Sequence, residues 1–349
     1  MSMARLKSWR SSAQRTFAFR ESQLTLWHSV AFSINIGAPL LFGWLHYDAR
    51  LGPLGGILGL LLSLADRALP LPKRLVLLLQ AAVAVFVFGI IGANLPKDSV
   101  PFWILLVGST FIVGWYSLVG SSAASSWRYG ALALASAAAT PSLGVSAIIL
   151  LAFATGVCAT TRYIGHIYFN DDTPVLPTPA VRERPRLWIS LRYCGAFSAA
   201  VAVGLALGNW QGAHRPLWIA TTVLLVMQPD PQLSFQRIAQ RLLGTCVGVG
   251  MAAIIVSTLH SEILLASAAI GIALILPHGS TRNYWIHSAF SAGLVLVLID
   301  FALSGHSFDG KLLTERIRDV ALGSAIVLAA TIFSFPPSFR KIQKEEVLT

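Results

Sequence analysis

The apolar residues of this chain are gathered into long runs separated by short polar segments. A bilayer core of about 30 Å is crossed by roughly 20 helical residues, and most of the runs approach that length. No segment shows the alternation of about ten residues that is typical of membrane β-barrels. The pattern therefore predicts an all-α polytopic membrane protein. The runs lie at approximately 27–45, 51–65, 75–94, 102–120, 129–140, 144–161, 187–208, 216–228, 242–259, 263–277, 284–303 and 320–335.

The runs divide into two groups of six around a polar segment. We expect about 12 transmembrane helices, with ten or eleven as alternatives because several runs are short and 129–140 is weakly apolar. Each half ends one run in an aspartate, Asp66 or Asp230, before a turn with proline and a basic entry to the next run. Six spans per half preserve orientation, so we expect two parallel six-helix repeats. The predicted parts are an N-terminal segment 1–26, a first half 27–161, a linker 162–186, a second half 187–338 and a tail 339–349.

Charge is scarce and unevenly placed. Only 12% of the residues are charged, about half the share of a soluble domain, and the net charge is +11. Basic residues flank the apolar runs and form no aromatic-interleaved patch, so we expect a lipid bilayer partner and no nucleic acid. The basic segment 1–26 is either an amphipathic interfacial helix or a loosely ordered tail.

Orientation follows from the same charges. With both termini and the linker cytoplasmic, only six of the 26 Lys and Arg residues fall on the outer side, which fits the positive-inside rule. Three of those six stand together near the last span. The outer-side residues are Arg50, Lys97, Arg215, Lys311, Arg316 and Arg318.

Catalytic and metal-binding patterns are missing from the sequence. Cys158, Cys194 and Cys246 lie in apolar runs without metal-ligand spacing. No Walker loop, zinc spacing or supported Ser-His-Asp set is present, so we expect no catalytic residue, metal or cofactor, and no enzyme.

The stretch 214–250 carries the first group of candidate residues. Gln228 and Pro229 end one span, and a short amphipathic helix is expected to place Arg237 and Arg241 on one face. Gly244 and Gly248 continue that face as a G-x-x-x-G contact. The arginines either serve the substrate path or anchor the chain by the positive-inside rule.

The second group opens the last span. Arg316, Asp319 and Gly323 share a helical face, and Arg318 is expected to point the opposite way, toward Glu315. Because ionisable groups at membrane depth are costly, Arg316 and Asp319 could form a pair that an anionic substrate opens. The alternative is an interfacial helix over 309–319 with solvated charges.

Three further polar or aromatic residues are candidates. Asp300 is a second partner or proton carrier near the end of its span. His287 is either a proton relay or an interfacial side chain. Trp218 either stacks on an aromatic acid or anchors the span at the membrane surface.

These motifs resemble the fusaric acid resistance and aromatic-acid exporter (FUSC-type) membrane transporters. One matching pattern is Trp218, Gln228-Pro229, the spaced arginines Arg237 and Arg241, and Gly244-Thr245. The other is Arg316, Asp319 and Gly323. The resemblance implies an inner-membrane exporter of aromatic or other weak organic acids, driven by an ion gradient. Its substrate-path candidates are Arg241, Arg316, Asp319, Arg237, Asp300, Gln228, Trp218 and His287, with Gly244, Gly248 and Gly323 in helix packing.

Two alternatives and one departure accompany this resemblance. Plant malate-type anion channels are similar at the same signatures, so a passive organic-anion channel is an alternative, and a membrane scaffold or enzyme is another. Many larger family members carry a sizeable cytoplasmic domain between the halves, where this chain has a linker of about 25 residues. The expected partners are a small organic anion and, as an option, further copies of the chain.

Overall fold

The structure is a computed structural model that describes seven stretches of the chain. The predicted N-terminal amphipathic segment, most of the predicted linker and the C-terminal tail lie outside the described residues. Within 280–282 the backbone alone is described. The described stretches are 25–48, 51–67, 69–139, 144–169, 187–212, 215–302 and 310–335.

Twelve α-helices and no strand form the described part of the chain, so the prediction of an all-α polytopic membrane protein is confirmed. Every predicted apolar run lies in a helix of its own. In chain order the helices are α1 Leu26–His46, α2 Leu51–Leu64, α3 Leu71–Asn94, α4 Val100–Leu118, α5 Ala124–Ala139, α6 Val145–Phe169, α7 Leu187–Trp210, α8 Leu217–Val226, α9 Pro231–Thr258, α10 Glu262–Arg282, α11 Tyr284–Ala302 and α12 Gly310–Ser334.

Two predicted boundaries are wrong. The expected short amphipathic helix after Pro229 is the beginning of α9, which continues unbroken through Arg237 and Arg241. Likewise α12 starts ten residues before the apolar run and carries the charged segment within it. The physical reason is the same in both places, because no proline or cap follows the charged residues and a helix propagates until such a signal ends it.

Nine of the described helices are long and apolar enough to cross a membrane. The other three are α2, α5 and α8, with 14, 16 and 10 residues. At 1.5 Å per residue even the longest of these measures about 24 Å, which is less than the hydrocarbon core of about 30 Å. The first half of the sequence thus contains two short helices, α2 and α5, and the second half contains one, α8.

The chain forms two compact units, and each draws segments from both halves of the sequence. Unit 1 contains 1–75, 149–177 and 239–313, and unit 2 contains 76–148, 178–238 and 314–349. Within unit 1, α1 packs on α2 and α10, while α11 packs on α10 and α2. Within unit 2, α7 packs on α8 and α4, while α5 packs on α4 and α8.

These two packing schemes are the same scheme. Each helix of unit 1 corresponds to the helix six places further along the chain, with α1 following α12. The helices α1, α2, α10 and α11 thus correspond to α7, α8, α4 and α5, and the contacts are the same. A chain with that property has an internal repeat of six helices, the kind of organisation that the two matched aspartate-containing turns predicted.

Glycines bring the helices of unit 1 into close contact. A Cβ at Gly59 of α2 would meet the carbonyl oxygen of Asn35 in α1. In the same way Gly244 of α9 lies against Ser288, and Gly248 against the carbonyl of Ala289, both in α11. Membrane helices approach one another through such small residues because packing, rather than the hydrophobic effect, holds them together.

We expect Gly248→Leu to destabilise the protein by at least about 1–3 kcal/mol, because the added side chain must push α9 away from α11. Gly250, two residues along the same helix, has open space where its Cβ would stand, so Gly250→Leu is the matched control. Thermal unfolding of the detergent-solubilised protein measures both. Equal melting temperatures for the two variants would contradict close packing at Gly248.

Candidate functional site

Buried charged side chains form three clusters in the described part of the chain. The Asp66 cluster consists of Asp66, Arg74 and Arg162, and the Arg241 cluster of Arg241, Thr245 and Ser288. Both lie in unit 1. The Arg316 cluster lies in unit 2 and consists of the buried Trp218, Arg316 and Asp319 together with the exposed Arg318.

The Asp66 cluster is a closed network of hydrogen bonds. Arg74 donates from Nε and Nη2 to the two carboxylate oxygens of Asp66, at 2.9 and 2.6 Å. Arg162 places its Nε 3.4 Å from the same carboxylate and donates from Nη1 and Nη2 to the carbonyls of Arg74 and Leu62, at 3.1 and 2.9 Å. The backbone N–H of Arg67 donates to Asp66 as well. Each charged group thus has several partners.

Asp66 lies in the connection between α2 and α3, outside the spanning segments. Burial by itself would raise the pKa of its carboxyl, but Arg162 and Arg74 outweigh burial and hold the pKa below its ordinary value of 3.8. The carboxylate therefore stays ionised at neutral pH. Since the network joins the α2–α3 connection to α6, it acts as a structural clamp.

Sequence reasoning missed this clamp. It used Asp66 only to mark an internal repeat and read the arginines as topology signals. The available signal was the position of Asp66 and Arg74 on either side of a turn between two helices, but nothing in the sequence places Arg162 beside them.

The Arg241 cluster has far fewer hydrogen bonds than the Asp66 cluster. Arg241 is only 3% exposed, yet the one hydrogen bond of its guanidinium to a described residue is long, at 3.4 Å from Nη1 to the Ser288 hydroxyl. Its Nε is buried and unpartnered among the described residues, and so is the hydroxyl of Thr245, one turn further along α9. A buried guanidinium and a buried hydroxyl thus stand together with spare hydrogen-bond donors.

The Arg316 cluster joins α8 to α12. The guanidinium carbon of Arg316 lies 4.8 Å from the centre of the Trp218 ring, which is a cation–π contact between two buried side chains. Asp319, 0% exposed, lies one turn further along α12. A Cβ at Gly323 would meet Thr222 and the carbonyl of Ile219, so this glycine lets α12 approach α8 closely.

The expected direction of Arg318 is wrong. Its Nε and Nη2 both donate to one carboxylate oxygen of Asp319, each at 3.1 Å, instead of pointing to the opposite face. A long arginine side chain can fold back along its own helix to a neighbouring carboxylate. The second oxygen of Asp319 is buried with no hydrogen-bond partner among the described residues.

The remaining candidates in unit 2 contact backbone groups. Arg237 donates to the carbonyl of Leu225 at 3.3 Å, near the C-terminal end of α8, where carbonyls lack helical partners. The Gln228 side chain donates to the carbonyl of Met227, and its backbone exchanges hydrogen bonds with Ser234. Both residues therefore shape the α8–α9 connection.

Asp300 and His287 belong to α11 in unit 1. Asp300 is half-buried, with no hydrogen bond or ion pair to another described residue. His287 is half-buried beside Tyr284, with ring centres 6.1 Å apart. The structure thus brings Trp218, Arg316 and Asp319 together, and separately Arg241 with Thr245 and Ser288. Neither Asp300 nor the His287 side chain belongs to these clusters of buried groups.

Fold and sites together define a polytopic helical membrane protein with arginines buried among its helices. Residues 199–330 match the family model described as fusaric acid resistance protein-like. That segment contains Trp218, Arg241 and the whole 316–323 signature. The resemblance to this family is thereby confirmed.

Two curated proteins are similar to part of the chain. "Uncharacterized protein slr1298" of Synechocystis is 35% identical over 138 residues, which are 38% of this chain and 17% of that protein. "Inner membrane protein YccS" of Escherichia coli is 28% identical over 157 residues, which are 44% of this chain and 21% of that protein. The alignments thus cover about a fifth of the length of either relative. No solved structure matches the chain.

We expect Asp66→Asn to destabilise the protein by about 3–5 kcal/mol, because it leaves two buried guanidinium groups without their carboxylate. Asp98→Asn, at an exposed position between α3 and α4, is the control and should be neutral. Thermal unfolding in detergent measures the difference. A melting temperature for Asp66→Asn equal to that of the control would rule out the clamp.

The clamp also predicts a pH dependence. A carboxyl whose pKa is lower in the folded state stabilises the fold above its unfolded pKa of about 3.9, and that contribution is lost as the pH falls toward the folded value. We therefore expect the wild-type protein to lose stability relative to Asp66→Asn below about pH 4. Melting curves between pH 3 and 8 test this, and a constant difference across the range would refute it.

Proposed function

We propose that the protein is an inner-membrane exporter of aromatic or other weak organic acids, working as a secondary transporter without covalent chemistry. The observation that supports this most directly is the Arg316–Trp218 contact within the segment that matches the fusaric acid resistance family. A guanidinium attracts a carboxylate, and an indole ring offers a flat apolar surface for an aromatic ring.

The environment of the Arg316 cluster strengthens its attraction for anions. In a site shielded from water a charge–charge contact is worth several times more than at a surface. Asp319 bears a negative charge nearby, but Arg318 is already hydrogen-bonded to it and offsets that charge. Glu315 adds a second negative charge beside Asp319, so the attraction for a carboxylate comes from the Arg316 guanidinium itself and not from a net positive charge of the cluster.

Energetics favour outward movement of such anions. An inside-negative potential assists the exit of one negative charge by about 2.3 kcal/mol per 100 mV. An exporter therefore needs only to offer a path, and an ion gradient can add to the driving force. We propose the corresponding orientation with both termini cytoplasmic, in keeping with the distribution of basic residues.

We expect Arg316→Ala to reduce export of 4-hydroxybenzoate about tenfold or more, since one charge-assisted contact is lost. Trp218→Leu should also reduce export, while Trp218→Phe keeps an aromatic face and should retain most of it. The measurement is uptake of labelled 4-hydroxybenzoate into inverted membrane vesicles with matched expression. The cytoplasmic face of the membrane is outward in inverted vesicles, so export by the protein is measured as accumulation of substrate inside them.

Lys73→Ala serves as the control, because Lys73 is an exposed cation at the start of α3 and belongs to none of the three clusters. Accumulation that persists when valinomycin and potassium hold the membrane potential at zero, and that collapses with the ion gradient, supports secondary transport. Loss of accumulation when the potential alone is removed would assign the protein to the passive channels. Unchanged uptake in the Arg316 and Trp218 variants would overturn the proposed site.

A further inference from the structure

Arg241 is a buried guanidinium with little to hold it. It lies on α9 with 3% of its surface exposed, and the long bond to Ser288 is its only hydrogen bond within the described residues. No described carboxylate forms an ion pair with it. Its Nε, which can donate to a carboxylate alongside an Nη atom, is buried and unpartnered.

An unsatisfied buried charge of this kind is strongly unfavourable. Buried ions are normally paired or coordinated, because the loss of water must be offset by other partners. The same unit provides a direct comparison in Arg162, which is 5% exposed and has three acceptors: the Asp66 carboxylate and two carbonyls. Arg241 is the same residue type at similar burial, but it lacks such acceptors among the described residues.

The neighbouring hydroxyl of Thr245 adds a further donor, while that of Ser288 donates to the Arg241 carbonyl at 3.4 Å. Thr245 stands one helical turn after Arg241, so the two side chains share a face of α9, and the Thr245 hydroxyl is buried without a partner in the described structure. Ser288 reaches this face from α11 because Gly244 has no side chain, and a Cβ there would stand 2.6 Å from that of Ser288.

We propose that Arg241, Thr245 and Ser288 form a binding site for a small carboxylate anion. The carboxylate accepts two hydrogen bonds from the Nε and Nη edge of the guanidinium, the bidentate arrangement that arginine favours. The hydroxyl of Thr245 donates a third, and Ser288 lines the site. The bound anion neutralises a buried charge for which the described residues supply no carboxylate partner.

The equivalent place in unit 2 has no such site. The repeat matches α9 and α11 of unit 1 with α3 and α5 of unit 2, and the portion of α3 in unit 2, residues 76–94, contains no charged residue. The Arg241 cluster is therefore not a packing requirement of the repeated fold, since the other copy is built without it.

This inference rests on the proposed function for its biological meaning, because a carboxylate is the group that an organic-acid exporter must recognise. Binding itself is tested without transport. The protein is purified in a mild detergent with isethionate as the added anion, and acetate, benzoate or chloride replaces isethionate at constant ionic strength. The melting temperature is followed as a function of anion concentration.

Wild-type protein should gain several degrees in melting temperature, saturably, with acetate and benzoate and less with chloride. Arg241→Met should abolish that gain when Arg316→Ala is also present, so that the proposed export site does not bind the anion. In isethionate alone it should melt higher than wild type, because a costly unpaired charge is replaced by an apolar side chain. Arg162→Met is the matched control and should melt lower in every anion, since it removes a satisfied guanidinium.

A lower melting temperature for Arg241→Met in isethionate, like that of Arg162→Met, would overturn the site by showing that Arg241 is structural. An equal response to chloride and acetate would overturn its assignment to carboxylates. Thr245→Val, which replaces one hydroxyl by a methyl group, is the second variant. It should shift the acetate response to about fivefold or higher concentration without changing the baseline, and an unshifted response would contradict the proposal.

If anions stabilise the protein through Arg241 while the Arg316 and Trp218 variants export normally, the proposed export site fails and the carboxylate site stands. If the Arg316 and Trp218 variants lose export while anions do not stabilise the protein through Arg241, the carboxylate site fails and the proposed export site stands.

Discussion

The cost of placing a guanidinium among apolar helices governs much of this structure. Helices satisfy their own backbone groups, so within a bilayer the remaining problem is the few charged side chains that lie between them. The buried arginines among the described residues are accommodated in three different ways. Arg74 and Arg162 share the Asp66 carboxylate, and Arg162 also donates to two backbone carbonyls. Arg316 lies on an indole ring, and Arg241 has donors without a partner among the described residues.

Arginine side chains also donate hydrogen bonds to backbone carbonyls at the ends of the short helices. The last carbonyls of α2 and α8 have no helical partners, and both helices are too short to carry those ends across the hydrocarbon core. Arg162 donates to Leu62 at the end of α2, and Arg237 donates to Leu225 at the end of α8. The two repeats thus use the same device, although the arginine comes from a different helix in each.

The sequence could predict the twelve helices because apolar runs and proline-containing turns are local signals. It could also predict that Arg316 and Asp319 share a face, since that follows from helical periodicity. It could not predict that Arg318 folds back onto Asp319, because side-chain direction at adjacent positions depends on what packs around them. The partnership of Arg162 with Asp66 was out of reach for another reason, as 96 residues of chain separate them and only the fold brings them together.

The closed network around Asp66 has a consequence for how the sequence can drift over evolutionary time. A change at any one of Asp66, Arg74 or Arg162 leaves the other two charged and stranded, so a lineage that abandons the network must replace its members in concert. Position 241 is under no such constraint, because no described residue forms an ion pair with Arg241. Related proteins should therefore keep or lose the three residues of the Asp66 network together, whereas the residue at position 241 should vary with the solute that each protein binds.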